Sequence, residues 1–455
     1  MGAGSSAFST DDTIVAIATP AGRGAIGIVR LSGADALRIA TSILDRPTPL
    51  EPRHATFTRV RPDRAASGDE VVATYFNAPR SYTGEDVVEL SGHGSPVLMQ
   101  LIVDATVRAG ARRARPGEFT LRAFLNGKRD LVQAEAVGDL IAATTPMQAR
   151  LAFDQLQGTL TAKLTAIDQS LLALIARLEA SLDFPDEGYH FAEPTASVKE
   201  LTGVIQVVEA LLSDRRRGVM IREGAHVVIT GRPNTGKSLI FNCLAGSDRA
   251  IVSDIPGTTR DLITETVDIH GIPVLLVDTA GIRSSEDLVE TEGVNRAVQA
   301  RDVADVVMLV LDRSEPLQDQ DLQLLEHQAL NRLVVVNKCD LTPAFLDLPN
   351  EMPFVLTSAK TGLGLDSVRA ALAQLLSGGE ALKDTVAMSN SRHISLTEAA
   401  LDHLKSALEA IENRIPEEFV LTDLRAARER FDEVVGARTS DDILTHIFER
   451  FCIGK

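Results

Sequence analysis

Cysteine is scarce in this chain. Its 455 residues include three, Cys243, Cys339 and Cys452, odd in number and far apart. A disulfide framework is therefore not expected and a reducing compartment fits. Long hydrophobic runs are also missing: the longest, such as VVMLVL at 306–311, are strand-sized and cannot span a bilayer. The first ten residues, MGAGSSAFST, carry no basic group and no extended apolar core, so a secretory signal is not expected and a cytoplasmic protein is. Positive charge is in deficit, with 46 basic against 63 acidic residues and a net charge of -17. Such a chain binds polyanions poorly on its own, so a nucleic-acid substrate would require a partner to supply much of the affinity. Internal repeats and extended low-complexity segments are lacking as well. What remains, 44% hydrophobic and 24% charged residues, is the composition of a soluble globular protein. The length is too great for one core, and about two to four domains are expected.

Pattern divides the chain into four stretches. Residues 11–125 alternate short β-like runs (TIVAIA, AIGIVRLS, VVATYF, DVVELS) with Gly/Pro-rich turns, and one helix is expected near 96–110. From about 130 to 215 the period becomes helical, with apolar residues at 164, 167, 171, 174, 175, 178 and 182. The basic run DRRRG at 214–218 precedes a second β/α stretch to about 378, and helical periodicity returns from 395 to 450. Helices on both sides of an α/β domain suggest one helical domain with a nucleotide domain inserted into it; two separate helical modules are the alternative. The expected divisions are 1–125, 126–219, 220–378 and 379–455, with SGGEALKDTVAMSNS at 377–391 the nearest thing to a linker.

The second α/β stretch carries chemistry. GRPNTGKS at 231–238 lies between the apolar run HVVIT and the helical run LIFNCLA. Gly231 and Gly236 let backbone N–H groups converge on one anion, Lys237 can reach the β- and γ-phosphates, and the Ser238 hydroxyl can ligate Mg²⁺. DIPGTTRD, LLVDTAG, LVVVNKCD and FVLTSAK follow in order. Thr259 can close onto Mg²⁺, Asp278 suits an outer-sphere contact to it, and the Gly281 N–H suits the γ-phosphate. Asp340 can accept from N1–H and the 2-amino group of guanine, which selects GTP over ATP. Lys338 can cover the base, and the Ala359 N–H can reach the guanine oxygen. Candidate GTP contacts are thus Asn234, Thr235, Gly236, Lys237, Ser238, Leu239, Ser253, Asp254, Ile255, Thr258, Thr259, Asp278, Thr279, Ala280, Gly281, Asn337, Lys338, Asp340, Ser358, Ala359 and Lys360. The set resembles the five successive motifs of translation-factor-type GTPases.

Two positions depart from routine. Ile282 follows DTAG, where Ras-like enzymes carry a water-orienting Gln, so another group must orient water. Asn234 either serves a left-handed turn or, with Ser253, Ile255 and Thr258, holds a monovalent cation that offsets charge on the phosphates.

The whole chain then resembles the MnmE (TrmE) family of tRNA-modification GTPases. The resemblance rests on DTIVAIATPAGRGAIGIVRLSG at 12–33, SYTGEDVVELSGHG at 81–94, RPGEFTLRAFLNGKRDLVQAEAVGDLI at 115–141, DLVETEGVNRA at 287–297 and the final FCIGK at 451–455. It implies an N-terminal folate-binding dimerisation domain, a helical domain and an inserted Ras-like P-loop GTPase domain. It further implies that Arg30, Glu89, Lys128 and Lys455 bind a 5-formyl- or 5,10-methylene-tetrahydrofolate, that Glu290 orients the attacking water, that Asn234 ligates K⁺, and that Cys452 is a functional thiol. Prenylation of that cysteine fits only formally, because Gly is not aliphatic and no polybasic stretch precedes it. The implied assembly is a homodimer working with the FAD-dependent partner MnmG (GidA) on the wobble uridine of tRNA. Thr235, Pro256 and Ser95 differ from the usual pattern without removing a ligand, although Pro256 could stiffen the cation loop. A ribosome-assembly GTPase would instead carry a basic KH-like module with a GXXG loop, which the acidic C-terminal region lacks. A folate-dependent methyltransferase regulated by GTP is the other alternative.

Overall fold

The structure is a computed structural model that describes residues 11–46, 48–61, 68–183, 194–247, 263–278, 304–326, 331–345, 348, 352–378 and 388–454. The chain forms two compact units, one of residues 1–138, 155–192 and 416–455, the other of 139–154 and 193–415. Among the described residues, no helix is long and apolar enough to cross a membrane.

The first unit is built on a six-stranded sheet of β1 (Ile14–Ile17), β2 (Ile26–Ser32), β3 (Ala55–Val60), β4 (Asp69–Phe76), β5 (Val87–His93) and β6 (Arg112–Arg113), in the order β3-β4-β5-β2-β1-β6. All neighbours are antiparallel except β1 and β6. The four expected β-like runs become β1, β2, β4 and β5. On β4, Asp69, Val71, Ala73 and Tyr75 turn inward while their neighbours face out or sit half-buried, the period of a strand with one solvated face. β3 was not expected, because ATFTRV mixes polar residues into an edge strand and buries little. The helices Ala36–Ile43 and Pro96–Arg108 cover one face and supply Ile39, Ile102 and Val103 to its core.

Buried charge ties this unit together. The Arg122 guanidinium, 1% exposed, donates to the Asp12 carbonyl and carboxylate (2.7 and 2.5 Å), to Glu85 (3.2 Å) and to Glu118 (3.2 Å). Arg112 adds bonds to Asp12 (2.5 Å) and Glu118 (2.6 and 3.1 Å). Burial pushes the Glu118 carboxyl up, but the hydrogen bonds from Arg112 and the Arg115 N–H outweigh it and hold the group below its ordinary value. In the same unit the helices Thr159–Asp183 and Glu417–Val435 pair. The helical period fits: Leu164, Ile167, Leu171, Leu174, Ile175 and Leu178 are buried, and Leu182 is half-buried. Arg428 forks onto Asp168 at 2.6 and 3.1 Å across that pair.

The second unit holds a sheet of β7 (Ala225–Thr230), β8 (Ile263–Ile269), β9 (Ile272–Asp278), β10 (Val306–Asp312), β11 (Arg332–Asn337) and β12 (Val355–Leu356), ordered β12-β11-β10-β7-β9-β8. It is parallel except for β8. The central strands are apolar on both faces. Met308 and Val310 pack toward the helices Lys237–Ser247 and Leu365–Leu376, while Leu309 and Leu311 pack toward Asp319–Glu326. The helices flanking this α/β part, Pro194–Leu212 and Ser391–Glu412, pack on each other, with Lys405 paired to Glu209 at 2.8 Å. That pairing is what an α/β domain inserted into a helical one requires. The run DRRRG opens the helix Arg215–Glu223 leading into β7, and most of the candidate linker lies outside the described residues.

Candidate functional site

In an open parallel sheet, ligands gather at the carboxyl ends of the strands, where loops and helix N-termini converge. Every described nucleotide motif sits there: GRPNTGKS after β7, Asp278 ending β9, NKCD at the end of β11 and SAK after β12. Within the loop Asn234 adopts φ 64° and Gly236 φ 94°. A Cβ at Gly236 would run into Asn337 Nδ2, so only glycine lets the loop approach β11 this closely. The Lys237 ammonium donates to the Arg232 carbonyl at 2.6 Å, and the Thr235 hydroxyl donates to the same oxygen at 3.0 Å. Asn234 and Leu239 face outward.

Asn337 joins three motifs. Its Nδ2 donates to the Thr235 carbonyl at 2.8 Å and its Oδ1 accepts from the Ala359 N–H at 3.0 Å. The Ala359 amide, the candidate for the guanine oxygen, thus points to Asn337 in the structure. Asp340 accepts from the Ser358 hydroxyl at 2.6 Å. That bond, with the ammonium groups of Lys360 and Lys338, holds the Asp340 carboxyl below the usual range and keeps it an acceptor. Lys338, at φ 62°, is fixed by Asp312 at 2.5 Å. Burial raises the Asp312 carboxyl, yet bonds from Lys338 and Ser314 prevail and lower it. Asp312 escaped the sequence reading, although a carboxylate ending the apolar run VVMLVL is the same signal that drew attention to Asp278.

The Ser238 hydroxyl donates to Asp278 Oδ2 at 2.8 Å, at the first turn of the helix after the loop. Two hard oxygen donors side by side fit Mg²⁺, which keeps most of its coordination for phosphate and water. Ser253, Asp254, Ile255, Thr258, Thr259, Thr279, Ala280, Gly281 and Glu290 lie outside the described residues, as do Pro256 and Ile282.

A second group of candidates meets in the first unit. Arg30 on β2 and Glu89 on β5 face each other in register and pair at 2.8 Å. The guanidinium also lies over Tyr82 (5.3 Å to the ring centre) and Phe119 (5.8 Å), and Nη1 reaches the Gly454 carbonyl at 3.5 Å. A Cβ at Gly454 would strike the Ile17 carbonyl, so glycine seats the C-terminal CIGK run against the end of β1. The Cys452 thiol is exposed while its carbonyl accepts from the Gly117 N–H at 3.4 Å. Lys128 is exposed, its methylenes beside Gly84, and Lys455 lies outside the described residues. Tyr82, Phe119 and Arg129, which stacks on Tyr82 at 5.5 Å, were missed, since nothing in their local sequence marks them. A basic, aromatic-lined cluster of this kind fits an anionic, ring-bearing ligand such as a folate.

Comparison with known proteins spans nearly the whole chain. The family model described as the GTP-binding protein TrmE N-terminus matches residues 13–128, and the MnmE helical domain model matches residues 131–452. The tRNA modification GTPase MnmE of Koribacter versatilis (strain Ellin345) is 44% identical over 454 residues, 98% of this chain and 100% of its own length. The proteins of that name from Legionella pneumophila (strain Corby) and Lactococcus lactis subsp. lactis (strain IL1403) are each 42% identical, over 98% of this chain and 99% and 98% of theirs. With two family models covering residues 13–128 and 131–452 and relatives aligned along nearly all of its length, the chain belongs to the MnmE family of tRNA modification GTPases.

Proposed function

We propose that this protein hydrolyses GTP in a potassium-activated reaction. With an FAD-dependent partner of the MnmG (GidA) type, it would convert C5 of the wobble uridine of certain tRNAs to a carboxymethylaminomethyl-type group. The observation that carries the reading is the end-to-end likeness to relatives named tRNA modification GTPases, one of them 44% identical over 98% of this chain. The proposed divisions are a folate-binding dimerisation domain at 1–125, helical parts at 126–219 and 379–455, and a GTPase domain at 220–378. The protein would be a cytoplasmic homodimer, with tRNA held mostly by the partner, as the net charge of -17 favours.

Lys237 would hold the β- and γ-phosphates, Ser238 and Thr259 would ligate Mg²⁺ with Asp278 behind them, and Asp340 would read guanine. Asn234, Ser253, Ile255 and Thr258 would hold K⁺, and Glu290 would orient the attacking water that Ile282 cannot. Mg²⁺ and K⁺, when bound, neutralise charge that builds on the phosphates. Arg30, Glu89, Lys128 and Lys455 would hold a tetrahydrofolate, whose one-carbon unit supplies carbon for the modification, with the Cys452 thiol nearby. Mass spectrometry of tRNA from cells lacking this protein tests the reading: the modified wobble uridine should disappear and return with the wild-type gene. A full complement of the modified base in its absence would overturn it. Hydrolysis should also run faster in KCl than in NaCl, and Asn234→Ala should abolish the difference; equal rates for the wild type would remove the cation.

A further inference from the structure

The loop GRPNTGKS is anchored from within the nucleotide motifs and also from outside them. Asn337 holds it at the Thr235 carbonyl. The second anchor is Arg232, whose side chain leaves the loop and is almost wholly buried against the helix Asp319–Glu326. Its Nε donates to Asp321 Oδ2 at 2.7 Å, and Nη2 lies 3.4 Å from Glu315. Asp321, 2% exposed at its side chain, accepts on the same oxygen from the Gln318 N–H at 3.0 Å, which fixes the start of that helix. Burial alone would lower the guanidinium's proton affinity, and the Asp321 bond more than restores it. The main chain of Arg232 is equally engaged, because its carbonyl carries both the Lys237 ammonium at 2.6 Å and the Thr235 hydroxyl at 3.0 Å. One residue thus links the phosphate-binding lysine to a helix outside the five motifs.

We infer that Arg232 is a positioning residue for the phosphate loop: its pairing with Asp321 fixes the carbonyl on which Lys237 rests and so sets nucleotide affinity. The inference rests on the reading of this loop as the GTP site. Releasing the guanidinium frees the loop between Gly231 and Gly236, and ordering it again opposes binding of GDP and GTP alike. Arg232→Met in the full-length chain should weaken binding of a fluorescent GDP analogue by about tenfold, mainly through faster release. Arg232→Lys should recover part of the affinity, because the charge survives without the fork. Asp321→Ala removes the acceptor, should match Arg232→Met, and carries the test if the arginine variant does not fold. The double variant should be no weaker than either single one. Wild-type affinity in a folded Arg232→Met or Asp321→Ala protein, with only the thermal midpoint lowered, overturns the inference and leaves a stabilising ion pair. A wild-type chain that binds no guanine nucleotide would remove the GTP reading itself, and this inference with it.

Discussion

The nucleotide site and the Arg30 cluster are assembled in opposite ways. The first is made of contiguous runs, each at the end of a parallel strand, and its side chains mostly bind other motifs: Ser238 to Asp278, Asn337 to Thr235 and Ala359, Ser358 to Asp340. The second collects single residues from distant stretches, with Arg30 meeting Glu89, Tyr82, Phe119 and Gly454, the last 424 residues away in sequence. A parallel α/β sheet brings its strand ends together by topology, so a short motif at each end suffices. The antiparallel sheet has no such edge where function gathers, and its cluster depends on helices and the C-terminal run folding back. The lesson is that a distributed site needs a rigid frame, and in the first unit the frame is the buried network around Arg122.

That dependence gives the largest expected effect. Arg122→Met leaves Asp12, Glu85 and Glu118 without their shared donor, and should cost about 3–5 kcal/mol of stability in a urea titration. The sign with pH follows from Glu118, whose carboxyl is depressed below its ordinary 4.5 in the folded chain. Its contribution is therefore complete above that value and lost as pH falls through the folded pKa. In Arg122→Met the carboxyl rises toward that ordinary value, so less stability depends on it and the acid limb of the stability curve should become shallower. A loss below about 1 kcal/mol with an unchanged acid limb would show that the network is solvated and the frame lies elsewhere.

The contiguous site should fail differently, losing specificity before stability. Asp340→Asn replaces an acceptor with a group that presents N–H to the guanine N–H donors. GTP affinity should fall about a hundredfold while a xanthine nucleotide gains, measured by competition for the site. The thermal midpoint should barely move, because the residue is bonded to Ser358 at the surface of the fold. Equal losses for both nucleotides would mean that Asp340 shapes the SAK loop instead of reading the base.

This contrast also explains what could be read from the letters. Both sheets, their order of motifs and the long paired helices were legible, because alternation and the 3.6-residue period are local. Of the nucleotide site, the loop, Asp278 and NKCD were legible for the same reason. Asp312 and Arg232 were not singled out, since their partners Lys338 and Asp321 are remote in sequence. In the first unit the residues themselves gave no signal: a solvated charge is the ordinary reading of Arg30 or Glu89 alone, and only likeness to a family drew them together. β3 was missed because an edge strand needs no apolar face.

The smallest expected effect separates two roles for Glu89. As a partner of pterin N–H groups, it would bind ligand directly; in the structure its carboxylate is engaged with Arg30 at 2.8 Å, across neighbouring strands. A carboxylate already bonded to a guanidinium serves first to orient it, with Tyr82 and Phe119 fixing the plane from the sides. Glu89→Gln keeps an oxygen to accept from Arg30, so 5-formyltetrahydrofolate binding by calorimetry should weaken only about two- to fivefold. Arg30→Ala removes the cation and should weaken it by about ten- to a hundredfold. If Glu89→Gln is instead as damaging as Arg30→Ala, the carboxylate contacts the ligand itself, and the pair must open when folate binds. No saturable binding by the wild-type chain would take the folate from this cluster altogether. The ratio of the two losses therefore reports whether a site built from distant residues spends its charges on the ligand or on holding one another in place.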